Sequence, residues 1–533
     1  MKKLLFIILT LVITASMMLA GCGEKSTSTA TTTKTTSTTT STTSTTTTVA
    51  PVSGGNLRII YNAAPKVLGG SIEQGPFDLF VLLAGVEKIM EYNDQQVIAP
   101  WLAESVVQDD ATKTITVKLH AGIKCHDGSA FDADAMMWNF QNQIDRKRIG
   151  YLDSFVKMEK VDAVTMKIYY QGDYNNQLLA AWLWSPPMYS KGAWDKAVSE
   201  SGEASEWARN NFSGTGPYKL KQYQRDVKLV LEKFTDYWGT KPYLDTIEWI
   251  FIPEAATARA MMEAGEADMW LSGSVNDQIS LANKGLVRQM GLGSIPCIYP
   301  NNVIEKYKDT RILNALEYAL DKAAIAKALG QGQYKAMKML SPEGRAGYDA
   351  AYVGHPYDVA KAKQLLTDAG FPNGIDVKIT ALVGQEDTCT ALKQYWDAAG
   401  IRTTIDMADP GRFYGGLYGA GWEDLLLTGY GEGNMLANFH NNLGDQPLTK
   451  MAAASWALPA ELLAMSQSSR TKKTIAEQDA AMVEITKWIA EKSFIIPLWL
   501  APGSYIRQPW VHSDYMKQGG FSFYFSRYWM EKH

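Results

Sequence analysis

Lys118-Leu-His-Ala-Gly-Ile-Lys-Cys-His-Asp-Gly-Ser-Ala-Phe-Asp-Ala-Asp-Ala-Met-Met-Trp-Asn-Phe140 is the stretch from which the fold is read. It begins on the last residues of an alternating run, Thr114 to Leu119, whose period of two is that of a half-buried strand. Asp127-Gly128 then breaks the chain with a turn dipeptide. Asp132 and Asp134 stand ahead of Met136, Met137 and Phe140, and an acidic residue before an apolar helical run is an N-cap signal. Just upstream, Leu102-Ala103-Glu104-Ser105 leads into a second short strand, Ser105 to Gln108, with Asp109-Asp110 in the turn between. The unit reads as hairpin, turn and helix.

Working outward, the chain starts with Lys2 and Lys3, an apolar run from Leu4 to Met18, and Leu19-Ala20-Gly21-Cys22. A positive n-region, a short apolar h-region and small residues at a cut site mark an export signal. The run is shorter than the ~20 residues a spanning helix needs. From Ser26 to Thr48 the sequence is almost wholly Ser and Thr, with Lys34 its one charge. Such a segment buries too little surface to offset its ordering entropy and is expected to be a disordered tether, with a reach of roughly 25–30 Å. Removal of residues 1–21 takes Lys2 and Lys3 with it and moves the net charge from −4 to −6.

That mild acidity argues against nucleic acid as a partner, which needs a basic face to displace counterions. A chain of 533 residues is too long for one core, so two or three domains are expected. After Met18 no apolar run is long enough to span a bilayer, and the folded part is expected to be soluble. Cys125, Cys297 and Cys389 are scattered without CxxC spacing; three buried thiols, or one bridge and a leftover thiol, both fit. Six His residues and no HExxH or Cys/His cluster point away from a metal site, and no cofactor is expected. The 16 Trp and 26 Tyr exceed what attracts no notice, because aromatics fill cores and also make flat faces for ligands.

Asn56 to Tyr61 has strand character, and Asp78 to Tyr92 carries apolar residues at helical spacing. Val359, Ala362, Leu365, Leu366 and Ala369 form a helical stripe that ends at Gly370, with Pro372 beyond. Ile375 to Thr380 and Arg402 to Met407 alternate as strands around a helix from Thr388 to Trp396. Asp424 to Thr428 reads as a short buried strand entering Gly429-Tyr-Gly-Glu-Gly-Asn434. The β-α-β alternation implies an α/β lobe with a mixed sheet.

Taken in order, these blocks resemble the extracellular solute-binding proteins of the dipeptide, oligopeptide and nickel class (family 5), which serve ATP-binding-cassette (ABC) importers. The resemblance rests on Leu102–Ser105, Lys118–Gly128, Phe131–Phe140, Gly214-Thr-Gly-Pro-Tyr218 and Asp236-Tyr-Trp-Gly-Thr-Lys-Pro-Tyr-Leu-Asp245. It continues through Ala256–Trp270, Tyr307–Lys322, Tyr357–Gly374 and Phe494–Pro502. Cys125 and His120 depart from the usual Phe and Arg. Leu19-Ala20-Gly21-Cys22 likewise resembles the lipobox of bacterial lipoproteins, which implies a diacylglyceryl group on Cys22.

The family resemblance implies an α/β, two-lobed periplasmic-binding-protein-like fold (type II) with an extra inserted domain, mixed sheets and a ligand cleft between lobes. On this sequence, 1–21 is the signal peptide and 22–52 the lipidated Cys with its tether. Lobe I takes 53–100, 211–295 and 496–533, the inserted domain 101–210, and lobe II 296–495. The expected protein is a monomer, exported and lipid-anchored at the outer face of the cytoplasmic membrane, that captures a peptide by hinge closure and delivers it to permease subunits. The same mechanism would serve an oligosaccharide or a nickel or other metal chelate. The expected ligand contacts are Tyr430, Glu432 and Asn434 in the Gly-rich loop, with Glu432 supplying negative charge for a cationic group. Arg345 and Arg412 are the candidates for a carboxylate, which a bidentate Arg holds well. Trp182, Trp184, Trp270 and Trp422 are candidates for stacking faces. A secreted hydrolase is the reading from another class, and the sequence has no GxSxG, HExxH or P-loop to support it.

Overall fold

Asn56–Tyr61 is the strand its composition requires, and its Leu57, Ile59, Ile60 and Tyr61 are all buried. Leu57 and Ile59 point into one core and Ile60 into another, so both faces of this strand are covered, while Arg58 between them pairs with Asp268 at 2.9 Å. The computed structural model describes residues 50–532 apart from 71–75, 94–97, 147–148, 173–178, 432–438, 441–442, 444–453 and 514–523. The export signal, Cys22 and the Ser/Thr tract fall outside the described residues. Among those described, no helix is long and apolar enough to cross a membrane.

The main sheet has 12 strands. Its path runs Ile401–Ala408, Ile375–Leu382, Leu425–Gly431, Val287–Pro300, Trp499–Arg507, Met269–Trp270, Asn56–Tyr61, Thr246–Phe251, Lys228–Lys233, Tyr218–Gln224. Val287–Pro300 and Trp499–Arg507 lie side by side, antiparallel, at the middle, with a register shift between Gly291 and Ser294. On one side of this pair, cores gather around Trp396, Ile379 and Leu427 and around Phe413, Leu426 and Met482. On the other side, they gather around Trp249 and Tyr218 and around Met262 and Trp270. The type II periplasmic-binding-protein architecture is therefore present, with the two central strands as crossovers.

A separate 4-stranded sheet is built from Ala103–Asp109, Thr114–Leu119, Phe155–Lys160 and Thr165–Tyr170. The helix Ala133–Asp145 packs on it, and the Asp132 side chain caps that helix by accepting from the Ala135 amide at 3.0 Å. Its core holds Leu119, Cys125, Phe131, Met136, Phe140 and Trp182. The turns on either side of this sheet form one joint with the main sheet. The His126 Nδ1 accepts from the Gly214 amide at 3.2 Å, and Nε2 meets the Gly216 carbonyl at 3.0 Å. A Cβ on Gly214 would stand 2.2 Å from the Gly85 carbonyl oxygen, so only glycine fits there. Cys125, Cys297 and Cys389 are all buried and free.

Two expectations need revision. The helical spacing from Asp78 to Tyr92 yields a helix only over Pro76–Leu82, followed by the strand Met90–Tyr92. The helix stops because Gly85 packs directly on the Phe212 ring and the Tyr218 carbonyl, where a Cβ would approach to 2.3 and 2.9 Å. The long crossover Val287–Pro300 was not anticipated, since Gly291, Gly293, Pro296 and Pro300 read as breakers.

Candidate functional site

The register of the main sheet locates the site. Asn56–Tyr61 runs parallel to Thr246–Phe251 and Met269–Trp270, while Ile375–Leu382 runs parallel to Ile401–Ala408 and Leu425–Gly431. Trp270 lies opposite Ile506, and Gly431 lies opposite Ser294. Following each strand to its carboxyl end therefore leads, from both sides, to the irregular piece of the crossovers around Gly291–Ser294 and Ala501–Gly503. Ligands of open α/β sheets bind outside the carboxyl ends of the strands, where the topology switches. Here two such sets of ends converge.

Tyr61 reaches this place from one half. Burial, then the nearby Tyr414 phenol and Asp78, push its hydroxyl well above the ordinary range. Tyr414 belongs to the other half, on the helix Pro410–Gly415 that follows the strand Ile401–Ala408. Asp409 starts that helix by accepting from the Arg412 amide at 3.1 Å, and Pro410 takes the first-turn position it tolerates best. The helix widens into a π turn over Gly416–Ala420 and stops at Gly421, with φ +82°. Phe413 and Leu417 bury its inner face. Tyr414 and Tyr418, four residues apart, lie with ring planes 10° apart and centroids at 6.0 Å. Tyr418 remains 36% exposed, and Val383, at the end of the neighbouring strand, 49% exposed. The Val383 amide donates to the Ala408 carbonyl, which fixes it beside the start of the Tyr414 helix.

Two of the cations near these strands, Arg412 and Lys378, are held by carboxylates, and a third, Arg288, by neutral groups. Arg412 holds Asp406 through both terminal nitrogens, at 2.7 and 2.8 Å, and also donates to the Met407 carbonyl. That contact keeps the Asp406 carboxyl below its usual range. Lys378 meets Glu423 at 2.8 Å. At the crossovers Arg288 donates to Gln278 Oε1 at 3.1 Å and Ser504 Oγ at 3.0 Å, and also to Gln333.

Tyr430 is buried in the strand Leu425–Gly431, opposite Ile295, and Trp422 joins the same core with its indole N–H on the Tyr299 carbonyl at 3.1 Å. Trp270 is buried against Ile60, Met262 and Ile506, and Trp182 is buried in the 4-stranded domain with its N–H on the Gly150 carbonyl at 2.7 Å. Trp184 is half-buried; its N–H meets Glu91 at 2.9 Å and the Lys88 ammonium lies 4.3 Å over its ring. Arg345 is exposed, in the loop after Ser341. Glu432 and Asn434 lie outside the described residues. The structure thus gathers Tyr430 and Trp422 in one core, places Trp182 and Trp270 in two others and leaves Trp184 half-buried. Tyr61, Tyr414, Tyr418 and Val383 are further candidates that the sequence reading did not single out. The readable signal was the Tyr414/Tyr418 spacing, out of phase with Phe413 and Leu417.

A family model described as "Bacterial extracellular solute-binding proteins, family 5 Middle" matches residues 97–441. The glutathione-binding protein GsiB of Escherichia coli (strain K12) is 29% identical over 346 residues, which is 62% of this chain and 65% of that protein. GsiB of Shigella flexneri matches at the same identity and coverage. The matched stretch thus spans 65% of the length of these curated relatives. Among solved structures, DppA from Helicobacter pylori in complex with the peptide STSA superposes with a TM-score of 0.82 at 18% identity, over 90% of this chain and 99% of that one. AppA from Bacillus subtilis with a nonapeptide gives 0.78 at 19% identity, over 91% and 100%. NikA from Brucella suis with Fe(III)-EDTA gives 0.75 at 19% identity, over 90% and 100%. At these identities the structures establish the fold.

Proposed function

The chain belongs to family 5 of the bacterial extracellular solute-binding proteins, and from that premise we propose that it captures a peptide between its two lobes and delivers it to an ABC permease. The family is one of binding proteins rather than enzymes. The observation that carries the peptide reading is the aromatic group Tyr61, Tyr414 and Tyr418, set by two different lobes at converging strand ends, with the neighbouring Arg412 held by Asp406. Such a surface suits the uncharged side chains of a peptide. The peptide complexes of DppA and AppA support the same reading. Closure would be driven by contacts that the ligand makes to both lobes at once, because a ligand shifts the equilibrium only by its differential affinity for the closed state.

In this reading lobe I is 53–100, 211–295 and 496–533, the inserted domain 101–210 and lobe II 296–495. Glu432, the residue after Gly431, supplies a charge for the peptide amino group. Cys22 carries the lipid, and residues 22–52 tether a monomeric receptor at the outer membrane face. Two acyl chains on one residue give stable anchoring where a single chain does not.

Thermal-shift titration against peptides, oligosaccharides and nickel or iron chelates tests the proposal, since stabilisation follows ligand concentration over Kd. Peptides should shift the transition. Replacing Tyr414 and Tyr418 together by Ala should weaken the responding peptide about tenfold, a loss of roughly 1.4 kcal/mol. A shift with a sugar or a chelate and none with any peptide would remove the peptide reading. Cys22→Ala should move the protein from the membrane fraction to the medium or periplasm; retention in the membrane fraction would count against the anchor.

A further inference from the structure

Among the described residues, the inserted domain meets the opposite lobe around Asp153 and Arg470. Asp153, in the short turn Leu152–Ser154, receives the Arg470 guanidinium at 3.0 Å on Oδ2 and 3.2 Å on Oδ1. The same guanidinium lies 5.2 Å over the ring of Tyr151. Tyr151 packs against His440, with centroids 5.9 Å apart, and the His440 Nε2 is held by Ser469 Oγ at 2.9 Å. Arg470 and Ser469 are on the helix Ala460–Arg470. Tyr151 sits at φ +56°, a conformation that a bulky residue adopts only where its surroundings impose it. Strained backbone of this sort clusters at clamps and switch regions.

The two sides of this contact are joined covalently only through the crossovers Val287–Pro300 and Trp499–Arg507. Asp153 and Arg470 thus lie on opposite sides of those crossovers, as Tyr61 and Tyr414 do. We propose that Asp153, Tyr151 and Arg470 form a latch that is made in the closed arrangement and holds part of the unliganded chain in it, so that the inserted domain acts as a positioning element for ligand binding. Ligand affinity then rises in proportion to the closed fraction of the unliganded chain, without any contact between latch and ligand. The inference rests on the closing-receptor reading, and its test needs no ligand.

Hydrogen–deuterium exchange on the full, unliganded chain provides that test, followed in two segments far apart in sequence, 151–160 and 460–470. Arg470→Gln and Asp153→Asn should each speed exchange in both segments, about two- to fivefold, the range of an ion pair of this exposure. The charge swap Asp153→Arg with Arg470→Asp should restore most of the protection, which a merely local packing role would not. Added salt at about 0.5 M should act on the wild type like Arg470→Gln and leave that variant unchanged. Faster exchange in the altered residue's own segment alone, no change in either segment, or no recovery in the swap overturns the latch. Because none of these readouts involves ligand, a protein that binds no peptide offered to it would refute the proposed function and leave this result standing.

Discussion

Glu317 is 1% exposed, yet it is ionised. Burial by itself would raise its carboxyl, but the Lys322 ammonium at 2.6 Å and His355 at 3.3 Å, with their hydrogen bonds, hold it at about 2. Ser493 adds a hydroxyl at 2.6 Å. The folded-state value is below the ordinary 4.5, so the folded chain binds fewer protons here. The stability from Glu317 is therefore present above about pH 4.5 and lost as the pH falls toward 2, up to about 3 kcal/mol. Glu317→Gln should flatten that acid limb, measured by urea unfolding from pH 5 to 2.5. Lys322→Met should lower stability by about 3–5 kcal/mol, because it strands a buried charge. Glu87 has the opposite sign. Burial raises its carboxyl against the hydrogen bonds from Trp238, Tyr237 and Trp101, so its contribution is lost as the pH rises. Neither carboxylate was legible in the sequence, since their partners come from segments distant in the chain.

At the scale of elements, the sequence was read best where one local rule sufficed. Asn56–Tyr61 forms as its strand composition implied and Thr114–Leu119 as its alternation implied, and Val359–Asp368 ends before Gly370 at φ +93°. It was read worst where tertiary contact overrode spacing, as at Gly85, or where glycines and prolines sat inside a strand supported on both sides, as in Val287–Pro300. The aromatic site escaped because its two halves meet only after folding. The joint between the inserted domain and the main sheet yields its own prediction. Burial, opposed by the Gly216 carbonyl, holds the His126 imidazole at about 4 rather than 6.5. Stability should thus fall by about 3 kcal/mol between pH 6.5 and 4, as the unfolded chain takes up a proton that the folded joint refuses. His126→Asn should lose stability at pH 7 and abolish the dependence in that window, as measured by chemical denaturation at both ends of it.

For the whole molecule, the two crossovers carry the motion. Arg288 joins Gln278 and Ser504 on one side to Gln333 on the other, a strut across the pivot. Arg288→Met should let the free protein open further, seen as a larger radius of gyration in solution scattering with the unfolding midpoint little changed. An unchanged radius would exclude the strut. The continuity of the sheet has a second consequence, which concerns time rather than motion. The amino-terminal strands meet Met269–Trp270, whose other neighbour is Trp499–Arg507, more than two hundred residues later in the chain. Pairings so distant are intrinsically slow to form, because loop closure must precede them. In a chain made amino end first, the central ladder therefore lacks an inner rail until residues 499–507 are available. The topology itself acts as a clock, since the main sheet closes last at its middle.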